Sequence, residues 1–378
     1  MSMDIRLGDC LGLLREMPAG SVRCCVTSPP YWGLRDYGTA TWEGGDAACD
    51  HAPAKRAIGN SPSAKSTLTT NAGKGPLPGD KFSAGSQFGY AQECPCGARR
   101  VDAQLGLERT PEEYVERMVE VFREVRRVLA DDGTLWLNLG DSYVGTSGAG
   151  TRVDHTNTGG AGTRSTSARP AGMRPGADNP LKAKDLVGIP WRVAFALQAD
   201  GWYLRSDIIW AKPNCMPESV TDRPTKAHEY LFLLSKSARY YYDAAAISEP
   251  SVDPPGVSRG GALARFGRDE KLIAANAHRG DKIPVSDGSR NRRTVWTVPT
   301  QPFAEAHFAV MPEALVEPCI LAGSAPGDTV LDPFAGSGTV GVVALRYGRR
   351  FIGCELNAEY CQMARRRVAG PLFAEVAP

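Results

Sequence analysis

Apolar residues follow two alternating patterns along the chain, short continuous runs and segments in which they recur every three or four positions. The second pattern is clearest after Thr110, where apolar residues between Tyr114 and Leu129 share one face of a helix. Thr110 suits the N-cap of this helix and Pro111 suits its first turn. Runs such as DIRL, VRCCVT, TLWLNL and TVLD are typical of buried strands. Strands that alternate with helices predict an α/β fold, a doubly wound and mostly parallel sheet covered on both faces.

Three segments interrupt this alternation and contain few large apolar residues. Residues 44–97 and 145–178 are rich in Gly, Ser, Ala and Thr, which is typical of surface insertions. Residues 250–294 are polar and rich in Gly, Arg and Asp. We therefore predict one main domain formed by residues 1–249 and 295–378, with residues 250–294 as a separate small region.

Composition and charge restrict the classes of protein to which this chain can belong. Of 378 residues, 42% are hydrophobic, which is enough for a large core, and 44 basic against 42 acidic residues give a net charge of +2. This balance is compatible with a local basic strip that binds nucleic acid. The N-terminus has no signal-peptide pattern and no apolar run reaches about 18 residues, so we expect no membrane span. The ten scattered cysteines indicate a reduced, intracellular protein.

A glycine-rich turn, DPFAGSGT at residues 332–339, follows the strand TVLD near the C-terminus. Its glycines allow a tight turn and the close approach of a ligand to the backbone. Glu355 ends the next strand about 20 residues later, where nucleoside-binding folds commonly place an acid that holds ribose hydroxyls. No Gly-Lys-Ser/Thr follows, so the turn is not a Walker A loop. The glycines at 336, 338 and 341 keep an NAD-linked oxidoreductase open as an alternative.

A second motif, TSPPYW at residues 27–32, ends the apolar run VRCCVT abruptly. Its two prolines have a fixed φ and no N–H, so they end the strand and hold their carbonyls at set angles. Alone, the motif also fits a kink packed by aromatic residues. Together, DPFAGSGT and TSPPYW resemble the motifs of S-adenosylmethionine-dependent amino-methyltransferases, which act on exocyclic nitrogens of DNA bases.

The order of the two motifs is similar to that of the β class of this family, a circularly permuted Rossmann-like methyltransferase. Residues 206–243 and 307–320 extend the resemblance to about two thirds of the chain. The resemblance implies S-adenosylmethionine as cofactor and a flipped-out base as substrate. Asp9 is expected either to reach the cofactor or to cap the next helix. The other residues expected at the cofactor are Asp332, Phe334, Gly336, Gly338, Thr339 and Glu355.

The resemblance gives the first motif a chemical role, because an exocyclic amine is a weak nucleophile whose lone pair is delocalised into the ring. We expect the Ser28 hydroxyl and the Pro29 carbonyl to accept its two hydrogens, on a loop that Pro30 stiffens. Tyr31 is expected to stack on the base, supported by Trp32. Serine at position 28 favours N4 of cytosine, since aspartate there is more typical of N6-adenine enzymes. N6-adenine methylation and a catalytically inactive DNA-binding relative stay as alternatives.

In β-class members the target-recognition region lies between the catalytic blocks and the cofactor-side segment, where residues 250–294 fall. Basic residues there suit contacts with phosphates and guanine edges, or else form a solvated loop. Those expected to bind DNA are Arg259, Arg265, Arg268, Arg290, Arg292 and Arg293. The resemblance implies double-stranded DNA as partner and a cytoplasmic protein of a prokaryote or phage. It leaves a cognate restriction endonuclease and a homodimer open.

Two pairs of soft metal ligands flank the first insertion, Cys49 with His51 and Cys94 with Cys96. Four such ligands can hold tetrahedral zinc and close the loop between them. Structural zinc usually prefers Cys-x2-Cys, whereas one residue separates the members of each pair here. We therefore expect either a structural zinc site or unbound surface cysteines.

Overall fold

A computed structural model describes residues 2–33, 37–46, 48, 49, 51, 94, 96–144, 181–251, 288–301 and 310–373. Its strands are β1 (Met3–Leu7), β2 (Val22–Thr27), β3 (Thr41–Glu43), β4 (Arg99–Val101), β5 (Leu129–Leu139), β6 (Tyr203–Ala211), β7 (His228–Ser235), β8 (Glu249–Pro250), β9 (Ser289–Arg290), β10 (Val295–Thr297), β11 (Thr329–Asp332) and β12 (Arg350–Glu355). Eight of them form one sheet in the order β1-β12-β11-β2-β5-β7-β6-β10. Only β7 runs antiparallel to its neighbours in this sheet, so the prediction of a mostly parallel sheet is confirmed.

Helices cover both faces of this sheet. They are α1 (Cys10–Glu16), α2 (Pro111–Val128), α3 (Ile189–Ala199), α4 (Glu313–Gly323), α5 (Thr339–Arg346) and α6 (Ala358–Phe373). The first three pack into one buried apolar cluster and the last three into another. The arrangement is a doubly wound α/β fold, as the alternation of patterns predicts. No helix within the described ranges has the length and apolar character that crossing a membrane requires.

Helix α2 shows how local sequence fixes an element. Thr110 has extended backbone angles, and its hydroxyl accepts a hydrogen bond from the Glu113 N–H at 3.1 Å. Pro111 occupies the first turn, as expected. Tyr114 and Met118 on the predicted apolar face are fully buried. This helix is therefore held by its cap at one end and by burial of one face along its length.

The parallel strands bring their carboxyl ends to one edge of the sheet, and the antiparallel strand β7 begins at the same edge. In the strand register Leu7 lies beside Glu355, Thr27 beside Leu137, and Ala211 beside His228. The motif TSPPYW leaves this edge from β2, and the glycine turn leaves it from the neighbouring β11. Two motifs that are about 300 residues apart in sequence therefore meet at the ligand-binding edge of the fold.

Short antiparallel pairs close the ends of two of the predicted insertions. Strand β3 pairs with β4 on either side of residues 44–97, and β8 pairs with β9 around most of residues 250–294. Most of both segments, and all of residues 145–178, lie outside the described residues. The division into a main domain and a target-recognition region stays a prediction, as does the circular permutation.

Candidate active site

The loop after β2 is held from behind by three hydrogen bonds. The Tyr114 hydroxyl donates to the Pro30 carbonyl at 2.9 Å, and the Gly33 N–H donates to the Gly106 carbonyl at 2.9 Å. The Trp32 indole donates to the backbone of Glu108 at 3.0 Å and is only 2% exposed. Trp32 therefore supports the loop from the core and offers no face to DNA.

The Pro29 carbonyl differs from that of Pro30, because no described residue donates a hydrogen bond to it. The ring of Pro29 is buried while the following proline is partly exposed. The loop thus fixes one carbonyl by a tyrosine and leaves the preceding carbonyl available. This is the carbonyl that the sequence predicts as an acceptor for an amine hydrogen.

Polar side chains of this loop meet those of two neighbouring strands, β5 and β7. The Tyr31 hydroxyl lies 2.9 Å from Asn138 Oδ1 and 2.8 Å from Glu229 Oε2. Ser28 Oγ lies 3.3 Å from both the Tyr31 hydroxyl and Asn138 Oδ1. The Asn138 amide is itself oriented by donation from Nδ2 to the Tyr230 carbonyl at 3.1 Å. The Asn138 Oδ1 atom therefore faces the two hydroxyls and accepts a hydrogen bond from at least one of them.

Glu229 anchors the tyrosine of this cluster. One carboxylate oxygen faces the Tyr31 hydroxyl and the other forms an ion pair with Lys212. Burial, followed by the charge of Glu229, raises the pKa of the Tyr31 phenol well above its ordinary range. The phenol therefore stays protonated and donates. Gly140 lets the ring approach, since a Cβ there would lie 2.5 Å from Cε2 of Tyr31.

The glycine turn is shaped by its own backbone and by packing on α6. Gly336 and Gly338 have φ of 51° and 79°, which other residues rarely adopt. A Cβ on Gly338 would also lie 2.9 Å from Val368. The Arg367 guanidinium donates to the hydroxyls of Ser337 at 3.0 Å and Thr339 at 2.9 Å. The Thr339 side chain therefore holds the turn from behind, and the backbone forms the side that a ligand meets.

Two acids flank the turn. Asp332 Oδ1 accepts hydrogen bonds from Thr27 Oγ1 at 2.6 Å and from the Phe334 N–H at 3.0 Å. Burial raises the pKa of Asp332 to about 7. Glu355 accepts the N–H groups of Gly336 and Asn357, both at 2.8 Å, and burial also raises its pKa. Through this hydrogen bond the Thr27 hydroxyl connects the end of β2, directly before Ser28, to the glycine turn.

Asp9 acts as a helix cap. Its side chain accepts the Gly12 N–H at 3.1 Å, and its own backbone is extended, as an N-cap requires. Of the two roles that the sequence leaves open for Asp9, the structure shows the cap. Asp9 still lies at the ligand-binding edge, because the Gly8 N–H donates to the Glu355 carbonyl at 2.9 Å.

The arginines expected to bind DNA fall into two groups. Arg259, Arg265 and Arg268 lie outside the described residues. Arg290 and Arg293 both form ion pairs with Glu249, at 3.0 Å and 2.5 Å, and Arg292 lies over the Trp296 ring at 4.6 Å. Each of these three has a partner within the chain, and their contact with DNA stays a prediction.

The four predicted metal ligands come together next to the β3–β4 pair. The ligand atoms of Cys49, His51, Cys94 and Cys96 all lie within 4.8 Å of one another. Sγ of Cys49 is 3.6 Å from Sγ of Cys94, and Sγ of Cys96 is 3.3 Å from Nδ1 of His51. Backbone hydrogen bonds from Asp46 and Ala98 lower the pKa of the Cys96 thiol to about 6, which favours the thiolate.

Glu229, Lys212 and Arg367 are not among the site residues that the sequence predicts. Glu229 is the second residue of an otherwise apolar strand, HEYLFLLS. The sequence does contain one signal for Glu229, an acidic residue at the start of an apolar strand. Burying a carboxylate there without a partner would cost free energy, so such a residue is expected to have one. Its partner Tyr31 is 198 positions away in sequence, so only the pairing of β7 with β5 reveals the contact.

Comparison with known proteins agrees with this geometry. The model of a family of N6/N4 methyltransferases, described as DNA methylase, matches residues 22–366. The type II methyltransferase M.Cfr9I of Citrobacter freundii is 44% identical over 363 residues, which cover 96% of this chain and 86% of the relative. M.SmaI of Serratia marcescens is 40% identical over 367 residues, covering 97% and 91%. The cytosine-N4-specific PvuII DNA methyltransferase has the same fold, with a TM-score of 0.52 and 16% identity over 97% of this chain and 86% of that chain.

Proposed function

Because the chain belongs to the family of N6/N4 DNA methylases, we propose that it methylates the exocyclic N4 nitrogen of cytosine in double-stranded DNA. It is a type II DNA methyltransferase with S-adenosylmethionine as its cofactor. The observation that carries the choice of reaction is the pair of acceptors at the end of β2. The Ser28 hydroxyl and the Pro29 carbonyl, to which no described residue donates, belong to consecutive residues that directly follow the Thr27–Asp332 hydrogen bond.

The glycine turn fits a cationic nucleoside such as S-adenosylmethionine. Asp332 is 3% exposed, and among the described residues no donor reaches its Oδ2. A cationic group supplies the positive charge that this buried carboxyl lacks. Glu355 retains lone pairs for ribose hydroxyls, and the space beside Gly336 is open, with the nearest atom to a Cβ there 3.9 Å away. When bound, the cofactor supplies a methyl group activated by its sulfonium.

The residues at the end of β2 make the amine a better nucleophile. Two acceptors on its hydrogens withdraw the lone pair from the ring and leave it localised on nitrogen. Ser28 Oγ has its own proton directed to Asn138 or Tyr31, so its lone pairs remain for the amine. The Pro29 carbonyl is held rigidly by the flanking rings. Orientation of the amine by this fixed pair is the largest contribution that the chain makes to the rate.

Ser28 supports cytosine over adenine. A hydroxyl both donates and accepts, whereas a carboxylate at this position accepts only. The resemblance associates the carboxylate with N6-adenine enzymes, so serine favours N4 of cytosine. N6-adenine methylation is the alternative within the family.

A methyl-transfer assay tests the proposal. The protein is incubated with tritiated S-adenosylmethionine and DNA, and the nucleosides are identified by mass spectrometry. We expect N4-methylcytosine; N6-methyladenine in its place would establish the alternative. Absence of incorporation would contradict both and would identify an inactive DNA-binding relative. Family membership removes the support for an NAD-linked oxidoreductase, which rested on the glycine turn alone.

Matched variants separate the roles of the residues. Ser28→Ala and Tyr31→Ala should reduce turnover far more than cofactor binding, whereas Asp332→Ala should weaken cofactor binding. Ser21→Ala, at the opposite end of β2, is the control, since its hydroxyl donates only to the Pro18 carbonyl. Equal losses of cofactor affinity in the Ser28, Tyr31 and Asp332 variants would contradict these assignments.

We also propose that Cys49, His51, Cys94 and Cys96 hold a structural zinc ion. Three cysteine sulfurs and one histidine nitrogen, all within 4.8 Å of one another, support it, and the site would fix the ends of residues 44–97. Metal analysis of the purified protein should give one zinc per chain, and Cys94→Ser should lower that content and the melting temperature. Protein without stoichiometric zinc would overturn the proposal.

The type II names of the relatives support a cognate restriction endonuclease as a partner in the same host. Residues 250–294 are proposed as the target-recognition region. Mapping of methylated positions by sequencing of treated DNA gives the recognition site. Exchange of this segment with that of a relative of different specificity should change the site.

A further inference from the structure

Lys226 places its ammonium in a buried position without a partner among the described residues. It lies on the segment before β7, two residues from the strand, at the edge of the sheet where Ser28 and Tyr31 lie. Its Nζ is shielded from solvent, and no residue in the described ranges accepts a hydrogen bond from it. The side chain as a whole is partly exposed, so the residue borders the surface at this edge of the sheet.

The acids near Lys226 already have other partners. Asp141 and Glu229 exert the largest attraction on the Lys226 charge, and Glu218, which is paired with Arg223, exerts a smaller one. Asp141 accepts the N–H groups of Gly188 at 3.0 Å and Ile189 at 3.1 Å, which begins helix α3. Glu229 is occupied by Tyr31 and by an ion pair with Lys212, as described above. Neither carboxylate forms a hydrogen bond or an ion pair with Lys226.

A buried ammonium without a hydrogen bond is costly for a folded protein. Such groups are rare in native structures and call for a specific reason. Burial also lowers the pKa of Lys226, in the direction expected for a cation that has lost its water. A ligand that supplies an acceptor would remove this cost on binding. The missing acceptor for the Lys226 ammonium therefore points to a bound substrate as its partner.

We propose that Lys226 is a substrate-binding residue whose ammonium donates hydrogen bonds to an oxygen of the target nucleotide. This inference rests on the proposed function. Lys226 is three residues before Glu229, which contacts the Tyr31 hydroxyl, and the charges of Glu229 and Asp141 act on it. It therefore lies at the edge of the sheet where the flipped nucleotide is proposed to bind. Two oxygens of that nucleotide have the required chemistry, the carbonyl of the pyrimidine ring and the phosphate.

The variant Lys226→Met tests the inference, because methionine keeps most of the length of the side chain and removes its charge. We expect the KM for DNA to rise about 10- to 100-fold, the loss typical of a hydrogen bond from a charged group. Affinity for S-adenosylmethionine should be unchanged. The melting temperature should be equal or higher, because an unsatisfied buried charge has been removed. A residue with a merely structural role would show the opposite change in melting temperature.

Two controls make the result specific. Lys182→Met removes one positive charge from a side chain that is 85% exposed and should leave the KM for DNA unchanged. Lys226→Arg keeps the cation and should bind DNA more tightly than Lys226→Met. A duplex lacking the base at the methylated position separates the two oxygens. If wild type and Lys226→Met bind it equally, the contact is to the base; if the difference persists, the contact is to the phosphate.

The outcomes distinguish this inference from the proposed function. If the wild-type protein transfers no methyl group to DNA, the proposed function fails. If the wild type methylates DNA and Lys226→Met has the same KM, the inference alone is overturned. A Lys226→Met variant that melts at a lower temperature and also loses cofactor affinity would equally overturn it, since the residue would then support the fold.

Discussion

Replacing Asp332 by asparagine should change how the stability of the protein depends on pH. The folded protein raises the pKa of this carboxyl from 3.8 to about 7, because the group is buried. The folded state therefore binds a proton more tightly than the unfolded state. The resulting stabilisation is fully present below about pH 4 and is lost as the pH rises through 7. Asparagine has a similar shape and does not titrate, so the variant lacks this dependence.

The size of the effect follows from the two pKa values. A difference of about three pH units corresponds to about 4 kcal/mol of unfolding free energy over the whole range. Between pH 5 and pH 8 the share is about 2.5 kcal/mol. For a chain of 378 residues this amounts to a change in melting temperature of about 3 °C. Thermal unfolding without cofactor, followed by intrinsic fluorescence at both pH values, measures it.

The informative quantity is the melting temperature of Asp332→Asn minus that of the wild type. It should be more positive at pH 8 than at pH 5 by about 3 °C, because all other titrating groups are shared. Thr27→Val is a matched variant that removes a hydrogen bond favouring the charged form. It should move the loss of stability to higher pH. If the difference in melting temperature is the same at pH 5 and pH 8, the burial argument for Asp332 is refuted.

Three further substitutions test the packing of the site. Gly140→Ala places a Cβ 2.5 Å from the Tyr31 ring, so kcat in the methyl-transfer assay should fall about 100-fold; an unchanged kcat would show that the ring position is not critical. Tyr114→Phe leaves the Pro30 carbonyl without its donor and should lower the unfolding free energy by about 1–3 kcal/mol in urea, and a smaller loss would mean that water replaces the hydroxyl. Glu355→Gln removes the carboxylate at the turn and should raise the cofactor Kd about tenfold by calorimetry with kcat retained at saturation, whereas a loss confined to kcat would contradict its role.

The sequence was most informative where a local pattern determines the structure. The helix after Thr110, the turn containing Gly336 and the strand that stops before Ser28 all depend on residues close together in sequence, and all were predicted. Glu229 and Lys212 were not, because their roles depend on the antiparallel strand β7 and on which side chains face one another across the sheet. The residues next to Glu229 and Lys212 in sequence do not indicate which distant side chains they contact.

Asp9 and Trp32 illustrate a second limit. Both lie next to the predicted site in sequence, and both have a structural task, the cap of a helix and the support of a loop from the core. A polar or aromatic side chain near a motif can serve the ligand or the scaffold, and the sequence is the same in either case. Only the direction of the side chain distinguishes the two.

The antiparallel pairs β3–β4 and β8–β9 have a consequence for how such proteins diversify. In each pair, antiparallel pairing brings the two ends of the intervening segment next to each other. The entropy of closing such a loop grows only slowly with its length, so segments of different size can be exchanged without displacing the sheet. Evolution can therefore change what is attached at these two sites while the chemistry at the end of β2 stays fixed.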